Sequence, residues 1–258
     1  MSENETATAR KFGWRSVVVG VTVALILGFW AAGLVRFLTP EDLYARLDRA
    51  LTKDESVIPL YTLMETEFPE EYAAFRDSMV AEYEAGAGDD EMAPAAHAFM
   101  REFVTSSLGD IARAPDEELG AVFDSSHAVT MALADQSSYL CAAFGAGALP
   151  PDTAIADADL EDALIAMGIA NLHAIAAGRD NPVQRQELQQ DEVQLLFERL
   201  LEQGLSQWEA NAVLTGVPIN RLPSSRQCEI SLALHSAVKS LPADSASRVI
   251  AAMFGSRS

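Results

Sequence analysis

The pattern of hydrophobic and polar positions changes character once along this chain, near residue 37. Before that point, Ser16 to Val35 reads SVVVGVTVALILGFWAAGLV, twenty residues without a charge. As a helix rising ~1.5 Å per residue it would cover roughly 30 Å, the thickness of a bilayer's hydrocarbon core. A core helix of a water-soluble domain keeps a polar stripe, and here only Ser16 and Thr22 interrupt the run. The stretch also exceeds the ~7–15 apolar residues of a cleaved signal peptide. Residues 16–37 are therefore expected to form a retained signal anchor, a single transmembrane helix in direct contact with the lipid bilayer. Trp14 and Trp30 lie near its ends, where indole rings favour the interface.

Beyond residue 37 apolar residues recur at helical spacing, punctuated by start and stop signals. Thr39-Pro40-Glu41-Asp42 opens a helix carrying Leu43, Leu47 and Leu51, and a short segment runs from Ser56 to Met64. Pro69 starts the next, with Tyr72, Phe75, Met79 and Tyr83 on one stripe and Gly86 at its end. Asp90 can cap a long helix that buries Phe99, Met100, Phe103, Val104, Leu108 and Ile111. Pro115-Asp116-Glu117-Glu118 opens another, expected to break near Asp124-Ser125-Ser126 and to resume from Ala128 to Phe144. The Gly/Pro-rich stretch 145–152 marks a possible subdomain boundary.

The second half repeats this grammar. Leu160, Leu164, Met167 and Leu172 mark a helix that Gly178 would stop. Asn181-Pro182 would begin the next, with Val193, Leu196, Phe197, Leu200 and Leu201 inward and Gly204 closing it. Ser206–Glu209 and Ser224–Gln227 read as capping boxes, and a last helix around Val249, Ile250 and Met253 ends at Gly255. No alternating β-branched run is long enough for a strand. The expected fold class is all-α: an N-terminal single transmembrane helix followed by a multi-helix globular bundle over 38–258.

Charge follows the same division. The first 37 residues hold Arg10, Lys11, Arg15 and Arg36 against Glu3 and Glu5, a balance of +2, so the chain total of −20 leaves −22 on the rest. A body that acidic repels polyanions, which excludes nucleic acid as a partner, and it is held off anionic lipid. Arg10, Lys11 and Arg15 cluster tightly before the span, whereas Arg36, Arg46 and Arg49 are spread out beyond it. By the positive-inside rule, residues 1–15 are a short basic cytoplasmic tail and the bulk of the chain is extracytoplasmic, in a periplasm-like compartment.

Such a compartment is oxidising, and the chain holds just two cysteines. Cys141 and Cys228 are expected to form a structural disulfide. They are no redox motif, since C-x-x-C is missing. His97, His127, His173 and His235 stand alone on separate predicted segments, outside any H-E-x-x-H or i, i+4 pair, so no metal site is expected. Asp157, Asp159 and Glu161 resemble the opening of a calcium loop, but Asp162 takes the place of the turn glycine and Gly168 that of the closing glutamate. The acidic clusters, Asp89-Asp90-Glu91 among them, read as solvated helix starts at the positive end of the dipole. Gln184, Gln186, Gln189, Gln190 and Gln194 read as the neutral polar face of one helix, and Trp208 as a core or staple residue. With no G-x-S-x-G and no phosphate loop, no catalytic residue and no cofactor is assigned.

Two functional expectations follow. The first is a membrane-anchored helical module of the cell envelope with a non-enzymatic role, binding or assembling an envelope protein partner. The alternative is an envelope hydrolase using two carboxylates from separate helices, recognisable by a cleft holding two buried carboxyl groups of raised pKa.

Overall fold

The computed structural model describes residues 40–52, 55–147, 149–150 and 157–255. The expected tail at 1–15, the expected anchor at 16–37 and part of the 145–152 boundary lie outside the described residues. Within them the chain forms twelve α-helices and no strand, an all-α fold.

Helices α1 (Pro40–Leu51), α2 (Ile58–Glu67) and α3 (Pro69–Glu84) form the first layer. Leu43, Leu47 and Leu51 are buried at four-residue spacing and set α1 against α3. Pro69 sits in the first turn of α3 with Glu70 and Glu71 beside it, the arrangement that a fixed φ and the helix dipole favour. Gly86, at φ 96°, turns the chain after α3. Then come α4 (Asp89–Ser106), α5 (Leu108–Arg113), α6 (Asp116–Gln136) and α7 (Ser138–Gly145). The last five are α8 (Ala158–Asp180), α9 (Gln190–Glu202), α10 (Gln207–Thr215), α11 (Ser224–Lys239) and α12 (Ala243–Gly255). One continuous core runs from Leu43 to Phe254, with α8 at its centre against α6, α5 and α2.

Five boundaries differ from the sequence expectation, some for local reasons and some for contacts distant in sequence. The helix expected to run from Asp90 to Ile111 is two, broken at buried Ser107. No break occurs at 124–126: Ser125 donates its hydroxyl to the Val122 carbonyl, satisfying it within the helix. The break falls at Ser137, whose side chain accepts from the Leu140 amide as an N-cap. Gly178 does not stop α8, which continues to Asp180. A Cβ there would lie 2.0 Å from the Asp110 carbonyl oxygen, so the glycine is what lets α5 cross α8 at backbone contact.

Asn181-Pro182 starts no helix either. Residues 181–189 form an irregular connection, with the Val183 amide donating to the Arg113 carbonyl and Arg185 donating to the carbonyls of Ala112 and Ala114. Gln184, Gln186 and Gln189 therefore share no helical face with Gln190 and Gln194. Finally, Ser224 lies inside α11 rather than capping it; Pro223 is the N-cap, and Gln227 reaches back to the Leu222 carbonyl.

Among the described residues, α8 is the one helix long and apolar enough to cross a membrane. Half of its apolar window is buried within this fold, and Asp159 and Glu161 lie in its first turn. That packing is what the core helix of a globular domain shows.

Candidate functional site

The sulfurs of Cys141 on α7 and Cys228 on α11 lie at disulfide-bonding distance, 1.97 Å, with Cα atoms 5.3 Å apart. Both residues are buried. Further along the same contact, Gly145 ends α7 so close to α11 that a Cβ would sit 2.2 Å from the Ser231 hydroxyl. The sulfur contact and the glycine together bring the short α7 close against α11.

Two hollows flank this contact and share Gly145, Ser231 and Leu234 as walls. The outer one, about 350 Å³, lies between Ala142 on α7, Ala146 just after it, the loop Val217-Pro218-Ile219-Asn220, and Gln227, Ile230, Ser231 and Leu234 on α11. Its openness has a simple origin: α7 contributes only alanine and glycine, and Gly216, in the left-handed region at φ 65°, turns the loop away after α10. Val217 is 49% exposed on its rim. Along α11, Gln227 and Ser231 form one row and Ile230 and Leu234 another, each pair one turn apart.

The inner recess, about 20 Å³, admits a single water-sized group. Ser126, Thr130, Ser231 and His235 supply its polar lining among Phe123, Phe144 and Phe254. His235 Nδ1 lies 2.9 Å from the Ser231 carbonyl oxygen. A carbonyl only accepts, so Nδ1 carries the proton and Nε2 keeps its lone pair. Burial pushes the His235 imidazole down to about 4, so it is neutral at neutral pH. The His127 ring stacks on it at 4.8 Å, and burial lowers that imidazole too. The Ser126 hydroxyl is buried without a hydrogen-bond partner. Outside, Lys239 and Asp124 form an exposed ion pair.

None of the residues lining either hollow is an Asp, Glu, Lys or Arg. The groups present offer apolar contact and neutral hydrogen bonds. The buried carboxylates lie elsewhere, on α9 and α10. Glu209 accepts from the Ser206 amide, completing the expected capping box, and from Arg226 in a bidentate pair at 2.7 and 2.8 Å. Glu192 caps α9 through the Gln189 amide and is clamped by Arg248. Arginine hydrogen bonds hold each carboxyl at about 2, well below the usual range. A carboxyl held that low carries no proton at neutral pH and cannot act as a general acid.

The remaining expected residues are dispersed. His173 is exposed on α8, whereas burial lowers His97 on α4 to about 4. No group of three metal-ligating side chains occurs among the described residues. The side chains of Asp89, Asp90 and Glu91 lie outside the described set. Asp157 caps α8 by accepting from the Asp159 and Leu160 amides, a helix-start role. Trp208, expected as a core or staple residue, is 53% exposed on the first turn of α10. The pairing of His127 with His235 and the Val217–Asn220 wall carry no signal in the sequence beyond the turn-forming Gly216 and Pro218.

Compared with known proteins, the chain matches no family model, no curated protein and no solved structure.

Proposed function

We propose that this protein is a membrane-tethered helical module of the cell envelope that works by binding another envelope protein. In this reading residues 16–37 anchor it, residues 1–15 stay in the cytoplasm, and the acidic body stands in an oxidising, periplasm-like compartment. The observation that carries the reading is the outer hollow between α7, α11 and residues 217–220. It is largely apolar, open at a half-exposed Val217, and lies between the two helices that the Cys141–Cys228 contact joins. Concave apolar sites with a few polar groups are where ligands seat, and protein interfaces concentrate their affinity where an anchor side chain fills such a pocket. Sulfurs at bonding distance support the oxidising side of the membrane. The basic cluster ahead of the span supports the same orientation.

The test uses the full chain in its membrane, with a benzophenone amino acid replacing Val217 or, as control, the exposed Glu65 on α2. A discrete protein adduct is expected from position 217 alone, and Ala146→Phe, which fills the hollow, should abolish it. Equal adducts from both positions, or an adduct indifferent to Ala146→Phe, refute binding here. A C-terminal reporter active only outside the cytoplasm checks orientation; a cytoplasmic signal overturns the compartment.

A further inference from the structure

Resting on that reading, we infer that the outer hollow takes a short uncharged peptide segment of the partner, one large apolar side chain seated between α7 and α11 with its main chain alongside Gln227, Ser231 and Asn220.

Three features of the hollow select this occupant. The first is the division of its wall. Ala142, Ile230 and Leu234 give the wall apolar side chains, and Gln227 and Ser231 on α11 with Asn220 on the loop give it polar ones. A peptide is divided in the same way, with an apolar side chain beside a strip of N–H and C=O groups, and a plain alkyl chain is not.

The second feature is hydrogen-bond polarity. Gln227 donates its Nε2 to the Leu222 carbonyl at 2.7 Å, which leaves its Oε1 as an acceptor. Ser231 donates to the Gln227 carbonyl at 3.2 Å, which leaves the lone pairs of its oxygen. Both therefore present acceptors, suited to main-chain N–H donors, and the Asn220 amide offers donors and an acceptor for the adjacent peptide group.

The third feature is charge. No ionisable side chain lines this hollow. A charged group entering it would lose hydration with no counter-ion in return. An acidic segment is doubly disfavoured, because the body around the site carries the chain's negative surplus.

The Val217 photo-adduct in membranes holding the full chain serves as the readout, competed by capped peptides. The first probe is a neutral peptide with one leucine among serines and glycines. Its counterparts carry aspartate or lysine in place of the leucine, or a methyl group on the leucine's main-chain nitrogen; octanol is the plain alkyl probe. The leucine peptide should suppress the adduct at a concentration about ten-fold lower than the charged peptides need. N-methylation or Asn220→Ala should weaken that competition several-fold, and Asn220 is exposed, so its replacement leaves the core intact. Octanol or a charged peptide competing better than the leucine peptide, or N-methylation without effect, overturns this inference and leaves the binding module standing. If Val217 yields no adduct at all, both readings fail.

Discussion

Breaking the Cys141–Cys228 bridge should cost this fold more than any other single covalent change. The two residues are 87 apart in sequence, and the loop they close contains α8, α9 and α10 entire. A crosslink acts mainly by removing conformations from the unfolded chain, and for a loop of this length the entropy relation gives about 4–5 kcal/mol. The folded state loses little when the bond is cut, because Phe144 and Leu234 remain buried at the α7–α11 contact. For a body of this size 1 kcal/mol moves the midpoint by about 2–4 °C, so reduction should lower Tm by about 8–20 °C.

The assay is thermal unfolding of the full chain in nanodiscs, followed by far-ultraviolet circular dichroism with and without a phosphine reductant. The double variant Cys141→Ala/Cys228→Ala should melt a few degrees below the reduced protein, since each substitution also deletes a buried sulfur. It should ignore the reductant. A wild-type midpoint that reductant does not move, in protein secreted to an oxidising compartment, refutes the reasoning. So does a double variant that reductant still destabilises, because the effect would then lie elsewhere.

Three further outcomes rest on separate parts of the fold. Gly178→Ala should destabilise by about 3 kcal/mol or more, because its Cβ meets the Asp110 backbone, whereas Gly120→Ala on α6 meets nothing within 4 Å and should gain about 0.5–1 kcal/mol; urea midpoints separate the two signs. Arg226→Leu leaves the Glu209 carboxylate buried without its clamp and should cost about 2–3 kcal/mol, less than a fully buried pair because the guanidinium is about a third exposed. Stability should also fall with acid in two stages. His97 and His235, lowered from 6.5 to about 4, contribute fully above pH 6.5, and that contribution is lost as pH falls to 4, at about 1.4 kcal/mol per pH unit for each; Glu192 and Glu209, lowered from 4.5 to about 2, extend the loss below pH 4.5. Urea titrations across this range should show His235→Phe flattening the first stage by about 1.4 kcal/mol per pH unit, and an unchanged slope refutes the assignment.

Helix starts were the most legible feature, because proline and the acids behind it act locally. Pro40, Pro69 and the Pro115 run all stand where helices begin. Stops were less so. Gly178 and Gly204 both follow apolar runs, yet only Gly204 turns the chain, at φ 85°, while Gly178 makes room for a backbone far away in sequence. Serines divide in the same manner: Ser125 lies inside α6 and donates back to the Val122 carbonyl, whereas Ser137 stands between α6 and α7 and accepts from the Leu140 amide. Of the site, the cysteines could be read because the chain holds just two. The His127–His235 stack could not, since each histidine is ordinary on its own helix and the pairing exists only once α6 meets α11.

The arginines explain how so acidic a body keeps a neutral hollow. Arg179 bridges Glu71 and Asp110, Arg185 meets Asp116, and Arg226 and Arg248 clamp the two capping glutamates, so the positive charges are spent joining helices. The acids left over face water and raise a negative field around the body, while the α7–α11 hollow holds no charge of either sign. Discrimination then operates at two distances. The field slows acidic partners before contact, an effect that added salt screens. Inside the hollow, a charged group is rejected by the hydration it cannot replace, which salt does not change. Raising ionic strength should therefore relax selection by net charge while leaving the preference for an uncharged inserted side chain intact.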